Sequence, residues 1–127
     1  MLKLSAISAL LAVPMVLTAG VSAQAQDLYG AIARSRSTGD KGYASNYRSR
    51  TAAENAALSQ CRRVSGAWDC TVLLWFRNAC GSIAESRNGG AGTGWGTTPR
   101  LAERYALESC NTVGSGCRVL RTFCTGR

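Results

Sequence analysis

The sequence predicts an α+β domain, stapled by disulfides, in which two ββαβ units form one antiparallel sheet covered by two helices. Three observations predict it. The first is an internal repeat: Cys70 to Phe76 returns as Cys117 to Phe123, and Gly30 to Ala33 is echoed by Gly81 to Ala84. The second is that within each copy short strand-like runs flank one segment of helical periodicity. The third is an even set of six cysteines, which occupy largely matching places in the two copies. The offset between copies falls from 51 at the first strand to 49 at the helix and 47 at the last strand, which assigns the length changes to loops.

In copy one, Leu28 to Ser35 reads as a strand. Ser37 to Gly42 carries strong turn chemistry, and Tyr43 to Tyr47 is the returning strand. A helix follows. Thr51 with Glu54 has capping-box spacing, which favours Thr51 as the cap. The second copy favours Ser49, because Ser49 aligns with Thr98, and Thr98 precedes a Pro suited to the first helical position. Ala53, Ala57 and Cys61 form one narrow face at four-residue spacing, small enough to let the helix lie close on a sheet. Thr71 to Phe76 is almost wholly apolar, the strongest candidate for a buried central strand. Copy two repeats the order, with strand Gly81 to Ser86, turn Asn88 to Gly92, strand Thr93 to Thr97, helix Thr98 to Asn111 and strand Cys117 to Phe123. Neither half buries its apolar strand alone, so residues 26–127 are expected to form one domain built of repeats 28–77 and 79–124.

Residues 1–25 read as an export signal. Lys3 supplies the positive start and Leu4 to Leu17 the apolar core. Cleavage is expected after Ala23 or Ala25, where small residues alternate. Pro14 and Gly20 argue against a retained anchor, so no stable membrane insertion is expected after cleavage, and the mature chain is expected to be secreted or periplasmic. An oxidising destination makes the six cysteines a disulfide framework. Six cysteines allow 15 pairings, which the repeat reduces to one. Cys61 with Cys70 and Cys110 with Cys117 close the two helix-to-strand loops. Cys80 is left to pair with Cys124. With no His and no Cys-x-x-Cys, neither a zinc site nor a redox pair is expected, and no cofactor is implied.

The formal charge is +8, from thirteen Arg and two Lys against seven carboxylates. Arg is a bidentate donor for phosphate and carboxylate, so this bias points to an anionic polymer or an acidic protein as partner. The absence of His excludes Ser-His and Cys-His nucleophiles. Glu54 and Glu103 sit early on the two helices, where the helix dipole alone favours a negative charge. The glycine-rich Asn88 to Gly96 matches neither a dinucleotide fingerprint nor a phosphate loop, and reads as a hairpin turn. The candidate binding surface is Arg48 and Arg50 with Tyr43, Tyr47 and Trp95 as aromatic platforms; Trp75 is expected in the core.

The chain resembles a family of small exported bacterial proteins, the domain of unknown function 4189. The resemblance lies in Tyr29-Gly-Ala-Ile-Ala33, Thr38-Gly39 and Gly42-Tyr-Ala-Ser-Asn46. It continues through Ala53-Glu54, Leu58, Cys61, Cys70, Phe76 and Cys80-Gly81, then Gly94-Trp-Gly96, Ala102-Glu103, Leu107, Cys110, Cys117 and Cys124. It implies an exported bacterial protein and carries over no catalytic or ligand residue. The leading reading is a non-enzymatic binding module for an anionic envelope polymer or acidic protein. The alternatives are a small secreted hydrolase or toxin using carboxylates and Arg, and a protein-directed inhibitor or effector.

Overall fold

The computed structural model describes residues 11–15 and 26–126, so the expected export signal falls largely outside the described residues. The elements run β1 (Tyr29–Ser35), β2 (Lys41–Tyr47), α1 (Arg50–Ser65), β3 (Cys70–Arg77), β4 (Cys80–Glu85), β5 (Ala91–Gly96), α2 (Pro99–Asn111) and β6 (Arg118–Cys124). The order strand, strand, helix, strand thus occurs twice.

Two three-stranded antiparallel sheets form, ordered β2-β1-β3 and β5-β4-β6, in place of the single sheet expected from sequence. The physical reason lies in the two faces of each sheet. A helix covers one face through alanines: Ala31 and Ala33 of β1 pack with Ala53, Ala57 and Cys61 of α1, and Ala84 of β4 with Ala106 and Cys110 of α2. The other faces are apolar as well, with Ile32, Phe76, Ile83 and Phe123, and a flat six-stranded sheet would leave them in water. Left-handed Asn78 (φ 46°) between β3 and β4 redirects the chain. The two faces then share one core, in which Ile32, Phe76, Ala79 and Ile83 are buried and Tyr43, Leu74, Leu120 and Phe123 pack around them.

Thr71 to Phe76 is not a buried central strand. β3 is an edge strand with alternating burial, Cys70 and Phe76 inside and Leu73 and Trp75 outside. The central strands are β1 and β4; their Gly, Ala and Ser residues are small where a helix or a ring lies close, and Ile32 and Ile83 fill the space between the sheets. Gly42 and Gly92 mark the closest helix approach: a Cβ on either would strike the backbone of α1 at Ala57 and Cys61, or of α2 at Ser109 and Cys110. Gly30 and Gly81 likewise leave room for the Phe76 ring, which meets Phe123 edge to face at 5.3 Å.

The caps follow from local chemistry. Ser49 caps α1, its Oγ accepting from the Ala52 amide at 3.1 Å, and Thr98 caps α2, accepting from the Leu101 amide at 3.2 Å with Pro99 next. Pairing registers coincide between the halves: the β1–β3 pairing shifts between Ile32 and Ala33, and the β4–β6 pairing between Ile83 and Ala84. One length change assigned to a loop instead falls inside β2. There Asn46, at φ 62°, accompanies a register shift that β5 lacks.

Three disulfides join Cys61 to Cys70, Cys80 to Cys124 and Cys110 to Cys117. Cys80 and Cys124 are cross-strand partners on β4 and β6. Loop-closure entropy makes the 44-residue separation the most stabilising, at about 4 kcal/mol against about 2.5 for the 9- and 7-residue loops.

Candidate functional site

The two sheets meet along two flanks, β3 with β5 on one side and β2 with β6 on the other. The flanks use equivalent backbone positions with different side chains. On the β2–β6 flank, Tyr43 lies opposite Ile32 in its sheet and Arg121 opposite Ile83. The Arg121 guanidinium covers the Tyr43 ring at 4.2 Å, and Phe123 meets that ring edge-on at 5.8 Å. Farther along, Thr125 is fully buried; its Oγ1 accepts from the Asn46 amide at 2.7 Å and donates to Asn46 Oδ1 at 3.1 Å. This flank is sealed. Burial pushes the Tyr43 phenol above its ordinary pKa, with Arg121 opposing the shift and Glu85 reinforcing it.

On the β3–β5 flank the same positions hold Leu74, opposite Ile32, and Thr93, opposite Ile83. These shorter side chains leave space. A cleft of about 480 Å³ is lined by Leu73, Leu74, Trp75, Phe76, Arg77 and Trp95. A second, of about 560 Å³, also contains Leu74 and Trp95 and runs past Thr93 and Thr97 to Leu101 and Tyr105 of α2. The two recesses adjoin at Leu74 and Trp95, which line both, and together they form the groove of this flank. Thr93 Oγ1 donates to the Leu73 carbonyl across it at 3.4 Å.

Trp95 is 54% exposed and Trp75 39%, with Tyr105 and Leu73 also open to solvent. Each rim residue has a positional reason. Trp95 pairs with Gly81 of β4, which has no side chain to cover the indole. Trp75 sits on the outward side of an edge strand, against the Tyr29 ring at 6.3 Å and under the Arg50 guanidinium at 4.4 Å. Arg50 is in turn ion-paired to Glu54 one helical turn on. Arg77 faces Asp27 at 3.7 Å in an exposed pair, which holds it only weakly.

Of the residues singled out from sequence, Trp95 lies on the groove, and Arg50 reaches it by stacking on Trp75. Tyr47 is exposed on β2, at the other edge of the sheet from β3, as the cross-strand partner of Tyr29, and does not line the groove. Arg48 is exposed in the connection from β2 to α1. Tyr43 does not join them, since it is the half-buried plug of the opposite flank. Trp75, assigned to the core, is instead a groove wall. Leu73, Leu74, Arg77 and Tyr105 were not singled out; the alternation of β3 and the β5-to-α2 packing bring them together.

Carboxylates are dispersed. Glu85 holds both Arg34 (3.4 Å) and Lys41, and Glu108 pairs with Arg104. Asp69 accepts from the Ser35 hydroxyl, chiefly, and from the Ser37 amide and hydroxyl, which lowers its pKa below the usual carboxylate value. No carboxylate lines the groove. Among the described residues no group of three or more His, Cys, Asp or Glu is placed to hold a metal ion, and no helix is long and apolar enough to cross a membrane.

A family model described as Domain of unknown function (DUF4189) matches residues 29–124, which is most of the chain. No curated protein and no solved structure matches it.

Proposed function

The chain belongs to the DUF4189 domain family, whose description assigns no activity, and from that premise we propose that it is an exported, non-enzymatic binding module for an anionic envelope polymer. The observation that carries this reading is the β3–β5 groove. It holds two partly exposed tryptophans over an apolar floor, with an arginine in its lining and no carboxylate. Contiguous exposed apolar surface of this kind marks an interaction site, and aromatic faces beside Arg suit ring-bearing or flat anionic ligands. A glycosidase of the usual kind would require two carboxylates flanking one cleft. The three disulfides fit export to an oxidising compartment.

We also infer that the domain arose by duplication of one ββαβ unit. Support comes from the β1–β3 and β4–β6 pairings, which shift at equivalent places, and from contacts between equivalent positions. Phe76 meets Phe123, and Arg34 of β1 pairs with Glu85 at the matching place in β4.

The test is tryptophan emission of the oxidised protein. It is run in a Trp68→Phe background, because Trp68 is 92% exposed on a loop away from the groove and would dominate the signal. Polyphosphate and a carboxylated polysaccharide are titrated at low salt and near 0.15 M. Binding of either that persists at the higher salt and, measured by titration calorimetry in variants that lose a reporter, is lost in Trp75→Ala and Trp95→Ala supports the groove. Binding that fades with the slope of a diffuse polyelectrolyte contact, about 0.7 to 0.9 per phosphate, and ignores both substitutions reduces the basic surface to solvated charge and sinks the reading.

A further inference from the structure

The charge pattern along the groove narrows the class of polymer. A strand carrying a charge on every unit needs cations spaced along its whole track. Here a single cation, Arg77, lines the track; it stands in the first recess, and the second is lined by no charged side chain. Arg50 and Arg104 lie outside the lining, over Trp75 and Tyr105, each ion-paired to a glutamate one turn along its own helix. A ligand matched to this track presents flat apolar faces and hydroxyls over most of its length and an acid group at one place. Pyranose rings have that character: their C–H faces stack on indole, and their hydroxyls suit threonine and backbone partners.

We propose that the groove binds an oligosaccharide of pyranose rings with sparse carboxylates, one of which is taken by Arg77 while a ring stacks on Trp95. This rests on the reading of the groove as a polymer site. The guanidinium fork of Arg77 is suited to a bidentate carboxylate, and its exposed partner Asp27, 3.7 Å away, is readily displaced.

The test uses an octasaccharide with a carboxylate on every second ring, the same octasaccharide after reduction of its carboxyl groups, and polyphosphate of similar length. Emission is followed near 0.15 M salt in the Trp68→Phe background, and binding by the Trp95→Ala variant, which lacks the reporter, is measured by titration calorimetry. The expected result is that both octasaccharides bind and both lose binding in Trp95→Ala. Carboxyl reduction should weaken binding about tenfold, as should Arg77→Gln toward the acidic form, with Arg77→Gln making no further difference to the reduced form. Equal affinity for the acidic and reduced forms, or independent effects of reduction and Arg77→Gln, overturns the carboxylate assignment. If polyphosphate binds in a Trp95-dependent manner and neither octasaccharide does, the sugar class is wrong while the polymer groove stands. If none of the three responds to Trp95→Ala, both readings fall. Unchanged far-ultraviolet circular dichroism of the Trp95 and Arg77 variants separates these outcomes from misfolding.

Discussion

The β2–β6 and β3–β5 flanks are built on equivalent strands whose registers match apart from the shift at Asn46 of β2, yet one is sealed and the other is a groove. Four positions make the difference. Where the sealed flank has Tyr43 and Arg121 in a stacked pair, the open flank has Thr93 and Leu74. Where the open flank raises Trp75, the sealed flank has Thr122, turned into a hydrogen bond with Ser82 at 2.9 Å. Trp95 likewise stands where β2 has Ser45, the residue after Ala44. One backbone arrangement therefore serves two ends: aromatic surface tucked between the sheets stabilises one flank, and aromatic surface turned outward on the other is left for a partner.

The largest test of this comparison removes what both flanks lean on. Phe76→Ala deletes a ring packed between Gly30, Gly81 and Phe123, and is expected to cost about 3–5 kcal/mol in chemical denaturation. Loss of a single cooperative transition in favour of two would show that the halves do not share a core. Next, Tyr43→Thr converts the sealed flank to the side chain of the open one. It should cost about 2 kcal/mol, from a half-buried ring, its contact with Phe123 and its cation–π contact with Arg121. It should also remove an alkaline component of stability. With the folded phenol raised, that contribution is complete below about pH 10 and is lost as pH rises through the raised value.

The converse change, Thr93→Tyr, fills the open flank. Stability should move by less than about 1 kcal/mol, while groove binding falls at least about tenfold; retained affinity would place the ligand elsewhere. The smallest effect concerns the two first turns. Ser35 donates to Asp69, whereas Ser86 at the matching place donates to Asn88, so only the first half carries a titrating acceptor. The lowered pKa of Asp69 means its contribution is present above about pH 4 and is lost as pH falls through the depressed value. In acid denaturation followed by circular dichroism, Asp69→Asn should flatten the dependence below about pH 4; an unchanged acid limb would contradict that role.

What was legible in the sequence was local or repeated. The helix caps Ser49 and Thr98, the small-residue helix faces, the strand order and the disulfide framework all depend on residues close in the chain, or on two copies that inform one another. The family match spans residues 29–124, the stretch in which these features lie. What was misread depended on which face a strand presents after folding. Thr71 to Phe76 looked central because hydrophobicity counts residues and not directions. In the edge strand it forms, every second side chain points outward, which turned Trp75 into a groove wall. Tyr43 looked exposed because a short hairpin strand carries no mark of the second sheet that covers it.

The amino-acid order by itself therefore determined the elements, their caps and the stapled α+β character, since these follow from propensity, spacing and cysteine parity. Tertiary structure alone decided that two sheets form in place of one, because both faces of each sheet are apolar and a helix covers only one. It also decided where the groove lies. A gap between Leu74 and Thr93 exists only when strands 20 residues apart in the chain are laid side by side with nothing large enough to fill the space.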